Sequence, residues 1–222
     1  MKHIKPYEIF ESASPNFPTT REEVIEVCEK YEIYNYIIND DLSIDGDGDV
    51  YLVDKGLEYL PLKFNYVSGN FVCSDNKLKT LEGSPQTVGG YFFCFENELK
   101  TLEGSPQTVG GTFNCSYNEL ITLEGSPQTV NGNFLCFGNE LKDLEYFPEV
   151  SGNVYIKGNT VYLLVYTFIR TASSFMIEDF IDYEIVRNRD TVMLDRLQTF
   201  IRDNDLKMPN LKEIKKHYKI IE

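Results

Sequence analysis

Four cysteines, Cys73, Cys94, Cys115 and Cys136, recur 21 residues apart, and Cys28 stands outside the series. Thiols can ligate a metal, pair as disulfides or act as nucleophiles, and spacing discriminates among these. Zinc sites draw on closely paired cysteines or on cysteine with nearby histidine. The only histidines here are His3 and His217, at opposite ends, so neither a Ser–His nor a Cys–His pair can be read. In a parallel stack the four thiols point the same way, one strand spacing apart, which is a poor disulfide geometry. The expectation is a column of buried, reduced thiols acting as small apolar groups, with a metal ladder as the alternative. Free thiols point to a reducing compartment, and the expected location is cytoplasmic.

A second candidate is Asp45-Gly-Asp-Gly-Asp49, whose alternating carboxylates match the start of a calcium-binding EF-hand loop. Val50 stands at the sixth-position glycine, however, and Gly56 at the twelfth-position glutamate. A solvated acidic hairpin edge that discourages strand addition is the expected role. Glu178, Asp179, Asp182 and Glu184 are the residues on which an enzymatic reading could rest, and they read as a solvated face. The Gly89-Gly90 pair and its copies lack the strand–loop–helix context of a phosphate-binding loop and read as turn glycines. No catalytic constellation, cofactor site or metal site is expected, and the chain is read as a non-enzyme.

The elements that carry these residues are set by a repeat. The octapeptide Leu-Glu-Gly-Ser-Pro-Gln-Thr-Val occurs unchanged at 81–88, 102–109 and 123–130. Self-similarity at this period marks a solenoid. The whole unit reads Val88-Gly-Gly-x-Phe92-x-Cys94-x-x-Asn97-x-Leu99-x-x-Leu102. It closely resembles the short leucine-rich repeat of bacterial and bacteriophage proteins, with Phe and Cys at two strand positions usually held by Leu. The chain's ending also resembles that of phage proteins carrying this repeat.

The resemblance implies an α+β repeat fold, a short leucine-rich-repeat solenoid with a parallel β-sheet of about six rungs. The rungs centre on Val50/Leu52, Phe71/Cys73, Phe92/Cys94, Phe113/Cys115, Phe134/Cys136 and Val154/Ile156, with the register one residue shorter just after Pro148. Asn76, Asn97, Asn118, Asn139 and Asn159 form a ladder that, in this family, satisfies backbone groups of neighbouring turns. The implied source is a phage or bacterium, with action inside the host cell. Ligases that pair such repeats with a nucleophilic cysteine further on are excluded, because no cysteine follows Cys136.

The flanks read differently. Thr20-Arg-Glu-Glu23 fits a capping box, followed by Val24, Val27, Cys28 and Tyr31 at helical spacing. Residues 12–18, with two prolines, read as a loop. Residues 36–39 and 43–52 read as a hairpin leading into the stack. Helices are predicted over 162–170, 174–181 and 191–203, and a further short one over 210–219. The domain reading is an N-terminal helix and hairpin cap over 1–43, the solenoid over 44–164 and a helical C-terminal cap over 165–222.

Composition narrows the partner. A net charge of −14 makes nucleic acid and anionic membranes poor partners. No apolar run approaches a membrane span, and the N-terminal residues lack the apolar stretch of a secretory signal. Alternation sends Phe92 and Cys94 inward and Tyr91, Phe93 and Phe95 outward. On the same outer face stand Val72 and Ser74, Asn114 and Ser116, Leu135 and Phe137, with Tyr51, Val53, Tyr155 and Lys157 on the end rungs. So much outward aromatic surface calls for a protein partner, and Tyr91, Phe93, Phe95, Val72, Asn114, Leu135 and Phe137 are the predicted contact residues. The expected function is a phage protein that binds and inhibits a host protein, a defence factor among the candidates. The competing expectation is a virion or assembly component that forms a homo-oligomer through the same face.

Overall fold

The computed structural model describes residues 15–166 and 174–222, so the predictions for 12–14 and for the end of the 162–170 helix lie outside the described residues. The chain folds as a β-solenoid of about five turns, with parallel sheets and a few helices. Helix α1 (Arg21–Lys30) opens it. Thr20 Oγ1 accepts the Glu23 N–H at 3.2 Å, which satisfies one of the free N–H groups at the helix start, and the Glu23 carboxylate reaches back to accept the Thr19 N–H just before the cap at 2.7 Å. Val24 and Cys28 turn into the same continuous core that runs through the coils.

Each coil carries two short strands joined by a glycine corner. Phe71–Val72, Phe92–Phe93, Phe113–Asn114 and Phe134–Leu135 form one parallel sheet with Val50–Tyr51 and Val154–Tyr155 at its ends. Thr87–Val88, Thr108–Val109 and Thr129–Val130 belong to a second sheet, seven strands wide, with Phe64–Val67, Ile44–Gly46 and Tyr36–Ile38 on one side and Glu149–Val150 on the other. The sequence predicts one sheet, and the octapeptide end supplies another. Its strands are two residues long with a single inward valine, too short for alternation to show. They exist because each Thr-Val pairs with the coils on either side.

Register follows the repeat. Phe71, Phe92, Phe113 and Phe134 are successive pairing partners, and Phe134 pairs with Val154 one residue early. Their rings stack with centroids 5.4, 5.4 and 5.7 Å apart and planes within 8°. Phe64 closes one end of the column edge-on at 4.9 Å and Phe147 the other at 5.2 Å. Cys73, Cys94, Cys115 and Cys136 run beside it, fully buried and unpaired. Burial in apolar surroundings pushes the thiols of Cys73, Cys94 and Cys115 well above their usual range.

The asparagines solve the backbone problem of such tight coils. Asn118 accepts the Leu99 N–H at 3.1 Å and donates to the Cys94 and Cys115 carbonyls at 3.0 and 3.1 Å, which ties its own coil to the one before. Asn97, Asn139 and Asn159 repeat the pattern while buried, and Asn76 does so half-buried. At the corners the coils touch backbone to backbone. A Cβ on Gly132 would lie 2.5 Å from the Gly111 carbonyl carbon and 2.7 Å from the Thr112 nitrogen, so no side chain fits there.

Beyond the last coil come α2 (Tyr162–Val165), α3 (Ser174–Asp182), α4 (Leu194–Asp203) and α5 (Leu211–Ile214). Two helix predictions are corrected. Thr191–Met193 is a strand, paired with Val186–Arg187 and with Lys219–Ile221, so the α4 helix starts at Leu194 and the last short helix stops at Ile214. The cause is tertiary, because Val192 is buried and finds partner strands that no local pattern announces. Tyr218 donates its hydroxyl to the Lys142 carbonyl at 2.8 Å, joining this region to the solenoid.

Candidate partner-binding face

The outer face of the six-stranded sheet is built by strand alternation. Buried Phe92 and Cys94 anchor the third coil from within, which leaves Tyr91, Phe93 and Phe95 on the outside. Tyr91 and Phe93 stack at 4.6 Å with planes 22° apart, and Phe93 meets Phe95 edge-on at 6.2 Å. Tyr91 is 38 % exposed, while Phe93 and Phe95 are half-buried against their neighbours. A second aromatic group lies further along the stack, where Phe137 meets Tyr155 at 5.7 Å. With Asn153, Lys157 and Tyr162 these line a cavity of about 360 Å³. Asn114 and Leu135 sit between the two groups, half-buried, and the Asn114 carboxamide accepts the Ser116 N–H at 3.1 Å.

Three outward assignments need correction. Val72 is only 7 % exposed, and Ser74 and Ser116 are buried. Val72 pairs with Tyr51 on one side and Phe93 on the other, so a small side chain stands between two larger ones on the same face. Val72 therefore lies low between these neighbours and offers little surface of its own. The Ser116 hydroxyl accepts the Phe137 N–H at 3.0 Å, whereas the Ser74 hydroxyl has no hydrogen-bond partner among the described residues. Tyr117 was not predicted and is 59 % exposed, its ring lying over Gly138. The signal for it was present: it holds the position that carries Asp54, Asp75 and Glu96 in earlier coils.

That rim position is left-handed in every coil, with φ of 51°, 57°, 53°, 55°, 59° and 91° at Asp54, Asp75, Glu96, Tyr117, Gly138 and Gly158. Carboxylates thus edge the first three coils of the face and are missing from that position in the last three. At the other end of the first strand, Asp49 accepts the Asn70 N–H at 2.7 Å and the Tyr51 hydroxyl at 3.0 Å, which holds its carboxyl below the usual range. Its neighbours in the acidic run also reach the next coil, Asp45 to the Asn65 amide and Asp47 to the Ser68 hydroxyl. Among the described residues no group of three His, Cys, Asp or Glu side chains is placed to hold a metal ion. No helix among them is long and apolar enough to cross a membrane.

Away from this face, a cavity of about 410 Å³ lies where the last octapeptide-like segment meets α3 and the strand after it, lined by Asp143, Glu145, Phe180, Glu184 and Arg187. Most of its charges are engaged locally: Glu184 pairs with Arg187 and Arg196, and Asp143 with Arg189. Comparison with protein-family models, with curated proteins and with solved structures gave no match.

Proposed function

We propose that the chain is a non-enzymatic protein-binding module, a short leucine-rich-repeat solenoid of the bacterial and phage type, whose partner docks on the aromatic strand face. The single observation that carries this reading is the contiguous Tyr91–Phe93–Phe95 group on the outer sheet face, with Tyr91 exposed and the two phenylalanines half-buried beside it. Aromatic anchors at the centre of a surface are the usual core of an interface. In this reading the solenoid spans 44–164, and the described parts of the flanking regions 1–43 and 165–222 serve as its caps. The buried, reduced thiols support a reducing compartment such as the cytoplasm, and in the phage reading the partner is a host protein that is bound and blocked.

The test is capture from host cells with the wild-type chain and with a Phe93→Ala/Phe95→Ala variant. The variant should stay folded and lose the partner, because each anchor is worth about 2–4 kcal/mol in a complex. Glu103→Ala, exposed on the octapeptide side, should capture as wild type. Unchanged capture by the folded double variant would move the site elsewhere. A second reading, assembly of like chains, is favoured by the change of charge along the chain, where 206–222 carry five Lys against two Glu within a total of −14. It predicts an oligomeric mass in solution.

A further inference from the structure

We infer that the surface seated on this face is a basic segment of a partner protein, with arginine or lysine side chains lying on the rings of Tyr51, Tyr91 and Phe93. The inference rests on the strand-face reading and adds the chemistry of what binds there. Two features of the same half of the face carry it. The first is the rings themselves: Tyr51 and Tyr91 are exposed, and Phe93 stacks under Tyr91. An aromatic face attracts a cation placed within about 6 Å of its centre, and a guanidinium stacks on it as well.

The second feature is the distribution of charge around those rings. Asp54, Asp75 and Glu96 follow the outward residues of the first three coils, one per coil, and Asp49 stands at the opposite end of the first strand. Successive coils of a parallel sheet are about 4.8 Å apart, so the three rim carboxylates repel one another. No ion pair of the described residues engages any of the three. The nearest lysines in sequence, Lys55 and Lys77, leave the rim net negative. A cationic segment lying across the coils would relieve that repulsion while its side chains cover the rings. The other half of the face has Tyr117, Gly138 and Gly158 at the rim and Lys157 beside its aromatic pair, so the preference for a cation is confined to the first three coils. A second copy meeting this one face to face is disfavoured as the occupant, since it would bring the same carboxylates against these, and a copy presenting its basic 206–222 segment instead would show as an oligomeric mass in solution.

The probe is a synthetic dodecapeptide of alternating arginine and glycine, compared with its lysine and glutamate counterparts, titrated into the full chain at physiological salt. The arginine peptide should bind, the lysine peptide more weakly, and the glutamate peptide not at all. Asp75→Asn/Glu96→Gln should weaken the arginine peptide about tenfold, and Tyr91→Ala/Phe93→Ala at least as much. Glu82→Gln/Glu103→Gln removes the same charge from the octapeptide side and should leave binding unchanged. No binding of the arginine peptide overturns the inference, and so does equal weakening by both charge variants, which would reduce the attraction to net charge. The two readings fail separately. A cellular partner lost by Phe93→Ala/Phe95→Ala but held as tightly by Asp75→Asn/Glu96→Gln keeps the face and overturns the basic partner. A partner indifferent to both overturns the face as well.

Discussion

Asp143 and Arg189 meet at 3.3 Å between the fifth coil and the C-terminal region. In earlier coils the Asp143 position is threonine, and Thr80, Thr101 and Thr122 each accept the N–H of the residue two further on. Asp143 keeps that bond, to the Glu145 N–H at 3.2 Å, and has a second oxygen left for Arg189. One substitution in the repeat therefore turns a local turn contact into a tie between two parts of the chain.

Burial raises the Asp143 carboxyl above its usual range, with Arg189 opposing the shift and Glu145 reinforcing it. A carboxyl that titrates higher in the folded state costs stability when ionised, and that cost fades as pH falls through its folded pKa towards its unfolded value. Arg189→Met removes the compensating charge and should destabilise by about 1–3 kcal/mol near neutral pH. The deficit relative to wild type should shrink on acidification. Denaturant midpoints of both proteins across that range check it, and a deficit that grows as pH falls would show that Asp143 is not its source.

Asn118→Ala should cost about 1–3 kcal/mol, because the Leu99 N–H and two carbonyls lose a buried partner. Asn76→Ala should cost less, since its side chain is half-buried and water can replace it. Equilibrium unfolding of the two variants gives the order directly.

The thiols of the column should resist a thiol reagent in the native chain and react on unfolding. Cys94→Ser should lose stability by placing a hydroxyl among fully buried apolar groups. Labelling counted by mass, with and without denaturant, tests the first point, and fast native labelling of all four would refute it.

Gly132→Ala should be among the most damaging small changes, about 3 kcal/mol or more, because the added carbon meets backbone that cannot rotate away. The comparison is Glu103→Ala, exposed and expected to be within about 0.5 kcal/mol of wild type. Thermal melts of the pair separate the two outcomes clearly.

How much could be read in advance follows from how local each signal is. The phenylalanine and cysteine columns and the asparagine ladder were legible because one coil's pattern, copied at a fixed period, fixes every coil's register. The second sheet was not, since a Thr-Val pair becomes a strand only when its copies lie beside it. Tyr91, Phe93 and Phe95 followed from alternation alone. Val72 did not, because its exposure depends on Tyr51 and Phe93 in the adjoining strands. The strand at Thr191–Met193 and the Asp143–Arg189 contact depend on residues distant in sequence, and no periodicity encodes them.

The edge-on rings of Phe64 and Phe147 stand where the octapeptide copies carry proline and serine. They make the two ends of the phenylalanine column unlike its middle, so the array can lengthen only from within. A duplicated 21-residue unit inserted between two central coils would meet matching neighbours above and below and leave both terminators untouched. Each such insertion would move Phe137 and Tyr155 away from Tyr91 and Phe93 by one coil, about 4.8 Å. The distance between the two aromatic groups is thus a quantity that gene duplication can adjust in fixed steps, without redesigning either group.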